Sequence, residues 1–338
     1  MSNFYVSIFQ IRGSSYHIGL ETGVKLRNTT FVNTLESITK QEIDLPNMKS
    51  IYSTFAPHLL EELDGLAQGS GISETRASAL FSGYDVPKTE SMGCSSLLTK
   101  DYYVRNYDFS PALYDGVFSL VQPDHAFASA GYNLQVLGRH DGVNEQGLVA
   151  GLHFVSHHGY RKGVSPWAAI RMILDTCSSL KEAVAMLKEI PHSACYNFSL
   201  GDRNGNMAEV EASPDKVRVR YGDSFLSCVN HFQDDHLKRN NRRSIEGSLQ
   251  RNKHLLSLKD KQLSHHQMFQ HFKNMDSPVF FTDYENLFGT LHTFSYSYQE
   301  ARILTTIAGS KQVLDVDVQE WANGEDICEK KLSGIIVT

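Results

Sequence analysis

Gly93-Cys94-Ser95-Ser96, followed by LLTKDYYVRNYD at 97–108, divides this sequence into two stretches of different character. Upstream, residues 46–81 carry apolar residues at helix period. Downstream, 97–108 reads as two short strands around a polar Lys100-Asp101 turn. A cysteine at the head of a strand, with glycine before it, points to a new N-terminus. A Cys, Ser or Thr that begins its own chain carries its own base, because its α-amino group titrates about three units below a lysine. It needs no histidine partner. The thiol can first attack the Gly93 carbonyl in an N-to-S acyl shift, after which water cleaves the thioester and frees the Cys94 amine. Gly93 places no side chain in the path of that attack. Taken alone the tetrapeptide is a weak signal, since most internal cysteines are small buried hydrophobes.

With 338 residues, 41% of them apolar and 21% charged, the chain can bury a full core as one large domain or two. A formal net charge of -6 argues against nucleic acid as a bulk-charge partner while leaving room for a local basic patch. No apolar run approaches a membrane span, and the opening MSNFYVSIFQIRG lacks a basic region before a long apolar stretch, so no membrane partner and a cytoplasmic location are expected. The five cysteines (Cys94, Cys177, Cys195, Cys228 and Cys328) have neither framework nor paired-ligand spacing. That fits a reducing compartment, with one reactive and four packing; Cys177, Cys195 and Cys228 read as core.

Residues 4–12 look like a strand, Gly13-Ser14-Ser15 turns into a helix from about Tyr16, and a second helix begins near Pro57 and closes at Gly69 and Gly71. Residues 82–93 form a polar loop suited to cleavage. After Cys94 strands follow, including a Gly-bounded run at 134–138 and a pair from Gly142 to Phe154 that turns at 144–147. Ser165-Pro166 and Ser179-x-x-Glu182 open two helices. Strands at 196–200, 206–211, 216–220 and 225–231 come next, then a polar helix within 234–262, a helix capped by Ser264-x-x-Gln267, and two closing strands joined near Gln299. This order fits an α+β chain with two sheets between helices better than a doubly wound parallel sheet.

Arg105-Asn106-Tyr107-Asp108 is the second chemical feature. An arginine near a thiol stabilises the thiolate, and a carboxylate can hold an α-amino group. Strict alternation puts Arg105 and Asp108 on opposite faces of a strand, so the strand must end or bulge near Tyr107 for both to reach Cys94. Otherwise the pair is a strand-end salt bridge. Asn230, polar at an apolar strand end, is a candidate oxyanion donor, although a turn asparagine has the same appearance. His153-x-x-x-His157-His158 has helical ligand spacing in a strand-then-loop context without an acidic ligand, so no metal is expected. Asp202-x-Asn204-Gly205-Asn206 is explained by a hairpin turn. The basic run 238–243 reads as a solvated helix start, with a phosphate contact as the alternative.

Together these stretches resemble the acyl-CoA:6-aminopenicillanic acid acyltransferase family, within the choloylglycine hydrolase and penicillin V acylase group of N-terminal nucleophile (Ntn) hydrolases. Gly13-Ser14-Ser15-Tyr16 with Gly19 and Gly23, and Pro57-x-x-Leu60-x-Glu62 with Gly65 and Gly69, resemble its pro-segment. Gly93-Cys94 resembles the processing site, Arg105 to Asp108 its Arg-Asn-x-Asp strand end, and residues 142–148 and 229–232 a family turn and an Asn-bearing strand. Arg251 resembles a late arginine of the hydrolase branch.

The resemblance implies a four-layer αββα sandwich of two mainly antiparallel sheets (94–338) carrying a mainly helical pro-segment (1–93). Cys94 would be nucleophile and its amine the base, Arg105 and Asp108 would orient and polarise them, Asn230 would donate to the oxyanion, and Arg251 would be a supporting charge. His153 stands where the hydrolases carry an asparagine next to their backbone oxyanion donor. With Phe154 and Tyr107 it is a candidate substrate contact. The implied substrate is a small-molecule amide or acyl thioester, processed without a cofactor, and a homo-oligomer is compatible with this. Two alternatives remain open: a histidine-assisted cysteine hydrolase using His153 or His231, and an uncut, non-catalytic binding protein.

Overall fold

The computed structural model describes residues 2–88, 93–286 and 288–336. Residues 89–92, within the expected cleavable loop, lie outside the described residues. Two sheets face each other. The first runs, in spatial order, Val217–Gly222, Met207–Ala212, Cys195–Gly201, Val149–Ser156, Gly138–Asn144, Ser129–Leu134, Val117–Pro123, Ser2–Gly13 and Lys331–Ile336. The second runs Phe225–Cys228, Gly93–Thr99, Tyr102–Phe109, Phe288–Ser297, Arg302–Ile307 and Leu314–Asp317, with Thr282–Asp283 added beside Phe288. Ser2–Gly13 lies parallel to Val117–Pro123, and the other pairings are antiparallel. Helices Pro166–Thr176 and Leu180–Glu189 cover the first sheet; Glu246–Leu256 and His265–Lys273 cover the second. This is the αββα order expected. Strands such as Val149–Ser156 and Tyr102–Phe109, buried on both faces, lose the alternation of a one-sided sheet.

Three local expectations change. The run at 134–138 is a turn between two strands, because Gln135 and Val136 take φ of 54° and 68°. The buried Asp115 carboxylate accepts from both their amides, at 3.0 and 2.6 Å, and that cap stabilises a left-handed turn the sequence disguises as a strand. The strand expected over 225–231 ends at Cys228. The basic run 238–243 forms a 3-10 turn at Lys238–Asn240, and the following helix starts only at Glu246. Cys177, Cys195 and Cys228 are buried as expected, whereas Cys328, expected to pack, is exposed. Among the described residues no helix is long and apolar enough to cross a membrane.

The region before Cys94 contributes a strand to the first sheet and five helices. Ser14, Thr29, Asp44 and Ser73 cap four of these by accepting backbone N–H bonds. Helices Ser15–Leu26 and His58–Ser70 approach until their backbones touch. A Cβ on Gly65 would lie 2.0 Å from the Tyr16 carbonyl oxygen, and one on Gly19 2.0 Å from that of Glu62. Gly69 belongs to this contact as well, 2.3 Å from the Leu20 carbonyl, so the helix stop is Gly71 alone, with φ of 72°. Gly65→Ala therefore forces backbone apart. We expect it to lower stability by about 2–3 kcal/mol in urea unfolding, despite alanine's better helix propensity; a stabilised variant would show that the helices are less closely docked.

From the same helix, His58–Ser70, Glu62 reaches the core. Arg171 of Pro166–Thr176 donates to both Glu62 oxygens at 3.2 and 2.7 Å and, through Nε, to Asp175 at 2.8 Å. His58 Nε2 lies 2.9 Å from the same Asp175 oxygen. All but His58 are buried.

Candidate functional site

Gly93–Thr99 is flanked by Phe225–Cys228 and Tyr102–Phe109, with Cys94 opposite Tyr107 and Gly93 opposite Asp108. Cys94 is fully buried in this uncut chain. Its Sγ accepts from Arg105 Nη2 at 3.1 Å. The same nitrogen donates to the Leu152 carbonyl at 2.5 Å, and Nη1 pairs with Asp141, both on the facing sheet. Gly151 makes this crossing possible, since a Cβ there would lie 2.2 Å from Tyr103 Oη and 2.8 Å from Arg105 Cδ. The guanidinium is thus fixed between the sheets and aimed at sulfur.

Asp108 reaches Cys94 from the other face. Strand Tyr102–Phe109 runs unbroken, and the irregularity expected near Tyr107 lies in its neighbour, between Thr290 and His292. Alternation is obeyed, with Arg105 on the side-chain face of Cys94 and Asp108 on the opposite face with Arg251. Arg251 Nη1 donates to the Cys94 carbonyl at 2.8 Å and to Ser95 Oγ at 3.3 Å, and stands 3.6 Å from Asp108 Oδ2. Asp108 Oδ1 accepts from Thr290 at 2.7 Å, while Oδ2 is buried without a hydrogen bond. A Cβ on Gly93 would lie 2.9 Å from that oxygen and 2.5 Å from the Phe288 ring. A bare carboxylate oxygen therefore sits beside the bond expected to be cut.

Asn230 completes the set. Its Oδ1 accepts the Cys94 backbone N–H at 2.7 Å and Arg251 Nη2 at 2.9 Å, and its Nδ2 donates to the Phe154 carbonyl at 2.9 Å. In the uncut chain it holds the nitrogen of residue 94, and its donor group is engaged with the protein.

Burial pushes the Cys94 thiol up; Arg105 pulls it down, Asp108 up again, and Arg251 down. Asp108 is also raised by burial, against Arg251 and Thr290. His153 is pushed well down by burial, then by Arg105 and Arg251. Its ring nitrogen Nε2 lies 3.2 and 3.0 Å from the Ser96 and Ser199 hydroxyls. His231 Nδ1 is 2.8 Å from Ser248 Oγ, and burial followed by Arg251, Arg220, Arg242 and Lys238 lowers it to about 4. Neither ring is hydrogen-bonded to Sγ. A neutral, weakly basic imidazole facing a thiol that burial keeps protonated is a poor base, which disfavours the histidine-assisted alternative. Titrating His231 by NMR should show it neutral at pH 6 and above; a midpoint above 6 would restore it as a candidate base.

Of the three expected substrate contacts, Phe154 presents its carbonyl to Asn230, and its ring packs on Tyr196 and His157 at centroid distances of 5.3 and 4.9 Å. Tyr107 packs its ring against His140 at a tilted 3.9 Å, stacks on His292 at 5.4 Å and leaves its buried hydroxyl without a hydrogen bond. His153 is enclosed as described.

The sequence reading missed the supports behind Arg105. Asp141 also lies 2.9 Å from His292 Nε2, whose Nδ1 is 2.7 Å from Tyr114 Oη. Burial alone would raise Asp141, but His292 and Arg105 outweigh it and hold it low. The available signal was the charged Arg139-His140-Asp141 run inside a strand; His292, the one histidine of strand Phe288–Ser297, carries no signal of its own in the sequence. Among the described residues no His, Cys, Asp or Glu cluster suits a metal ion. His153 lies in a strand, not on a helix.

The family model for acyl-coenzyme A:6-aminopenicillanic acid acyl-transferase matches residues 97–312, which include Arg105, Asp108, Asn230 and Arg251 and begin just after Cys94. No curated protein matches the sequence. Among solved structures, a mutant of the conjugated bile acid hydrolase from Clostridium perfringens is 14% identical, with TM-score 0.48, covering 73% of this chain and 97% of its own. Penicillin V acylase from Agrobacterium tumefaciens is 15% identical, with TM-score 0.43, over 68% and 86%. The Caenorhabditis elegans ortholog of N-acylethanolamine-hydrolyzing acid amidase is 12% identical, with TM-score 0.41, over 61% and 93%. With well over half of its length matched by the family model, the chain belongs to the acyl-coenzyme A:6-aminopenicillanic acid acyl-transferase family.

Proposed function

We propose that this family member is a precursor that cuts itself before Cys94 and then uses the new N-terminal cysteine to cleave or transfer acyl groups at linear amide bonds. The observation that carries the reading is the convergence of three side chains on one residue. Arg105 is on the Cys94 sulfur, Asn230 on its backbone nitrogen and Arg251 on its carbonyl.

In maturation the thiol adds to the Gly93 carbonyl, the C–N bond breaks toward Cys94 N, and water hydrolyses the thioester, leaving a Gly93 carboxylate and a free Cys94 amine. The unpartnered Asp108 Oδ2 and Asn230 Oδ1 are placed to receive that amine. Departure of the preceding strand end opens the sulfur, which is fully covered in the uncut chain. In turnover the amine takes the thiol proton, sulfur attacks the substrate carbonyl, and Asn230 Nδ2 turns from the Phe154 carbonyl to the oxyanion. The protonated amine then gives its proton to the departing nitrogen. Water or an acceptor amine resolves the thioester, giving a hydrolase or a transferase.

The test is the mass of the purified protein under denaturing conditions, with a panel of linear amides assayed in parallel. Fragments 1–93 and 94–338 together with amide turnover are expected. A single intact chain under all conditions would overturn the proposal in favour of an uncut binding protein.

A further inference from the structure

The basic run 238–243 returns in three dimensions beside the nucleophile. Four of its residues, Lys238, Asn241, Arg242 and Arg243, line a concavity of about 580 Å³ together with His231, the residue after Asn230, while Arg239 points elsewhere on the exposed surface. Lys238, Arg242 and Arg243 contribute to the lining and no carboxylate does, in a chain of net charge -6. Lys238 is held by Asp235 at 2.6 Å on the exposed rim. Arg242 differs from the other two. Half-buried, it places its guanidinium 5.8 Å from the centre of the Phe154 ring, and its Nε is buried with no hydrogen-bond partner. Among the described residues it has no carboxylate partner, and the neighbouring charge that bears on it most is another guanidinium, Arg251. A planar fork donor kept partly dry beside a second cation is strained electrostatically until an anion arrives.

Resting on the amidase reading above, we infer that Arg242 and the concavity around it receive an oxyanion carried by the substrate, a carboxylate or a phosphate, on the part of the molecule that extends past Asn230. The Phe154 ring supplies the flat support for the guanidinium, and the Phe154 carbonyl, through Asn230, ties the same residue to the nucleophile. The preferred substrates are then acyl amides with one anionic end.

The test is a binding measurement, read from the rapid first heat of each injection, ahead of any turnover. N-hexanoylglycine, its methyl ester and N-hexanoyl-O-phosphoethanolamine are titrated calorimetrically into the purified protein, into Arg242→Gln and Arg242→Lys, and into Arg239→Gln as a surface-charge control. At least one anionic ligand should bind about 10- to 100-fold more tightly than the ester. That ratio should fall to near one in Arg242→Gln, be partly kept in Arg242→Lys, and be unchanged in Arg239→Gln. Which of the two anions binds better tells carboxylate from phosphate. Equal binding of ester and anions, an unaltered ratio in Arg242→Gln, or no binding of either anion would each overturn the inference. Unfolding curves of the variants exclude a folding defect as the cause. An uncut chain that still shows the charge preference would sink the proposed reaction while leaving this subsite standing.

Discussion

Cys94→Ala is expected to leave one uncut chain and to lower amide turnover by about 10⁴-fold or more, the loss typical of removing a covalent nucleophile. The expectation rests on geometry more than on the motif. Arg105 is buried and paired with Asp141, and one of its nitrogens is 3.1 Å from the Cys94 sulfur and 2.5 Å from the Leu152 carbonyl. Alanine leaves this cation without its soft acceptor but with two others, so the fold should survive and the comparison should report chemistry. Mass spectrometry of the variant and a progress curve with any amide turned over by the wild type would settle the matter. Cleavage or turnover within tenfold of wild type would mean that residue 94 is a core cysteine.

The second large effect concerns stability. Glu62→Ala should destabilise the protein by about 3–5 kcal/mol, because it removes one partner of a buried, two-pronged ion pair and leaves Arg171 with Asp175 and the Leu137 carbonyl. Glu62→Gln keeps one hydrogen bond and should fall between. Urea midpoints at constant slope would measure both. If the proposed cut occurs, the effect should grow, since Glu62 would then bridge two chains and fragment 1–93 would separate at lower urea. A shift below about 1 kcal/mol for Glu62→Ala would show that water replaces the carboxylate at Arg171.

Much of this was legible because local chemistry and global fold agree. Ser165-Pro166 and Ser264-x-x-Gln267 cap the helices they predict, and Lys100-Asp101 turns the two strands that frame Cys94. Arg105, Asn230 and Arg251, far apart in sequence, meet at Cys94, with Asp108 paired to Arg251 beside them. What could not be read depends on partners distant in the chain. The left-handed turn at Gln135 and Val136 exists because Asp115 caps it from another loop. The apparent conflict between Arg105 and Asp108 dissolves once residue 94 is seen to offer its sulfur to one face and its backbone to the other. Asp141 and His292 gain meaning only when the two sheets face each other.

The strand Ser2–Gly13 lies between Val117–Pro123 and Lys331–Ile336. On a translating ribosome this strand must therefore wait for a neighbour synthesised long after it. At roughly 5–20 residues per second, the interval between synthesis of Cys94 and of residue 331 is on the order of 10–50 s. Through that time the thiol has been made but Asn230, Arg251 and His292 arrive one after another, and the sheet that fixes Arg105 stays open at its edge. If the proposed self-cleavage occurs, it follows the arrival of the strand at Lys331–Ile336 rather than the synthesis of Cys94. A chain stalled before that strand would carry an unarmed cysteine, and the proposed cut would serve as a covalent record that the two sheets had closed on each other.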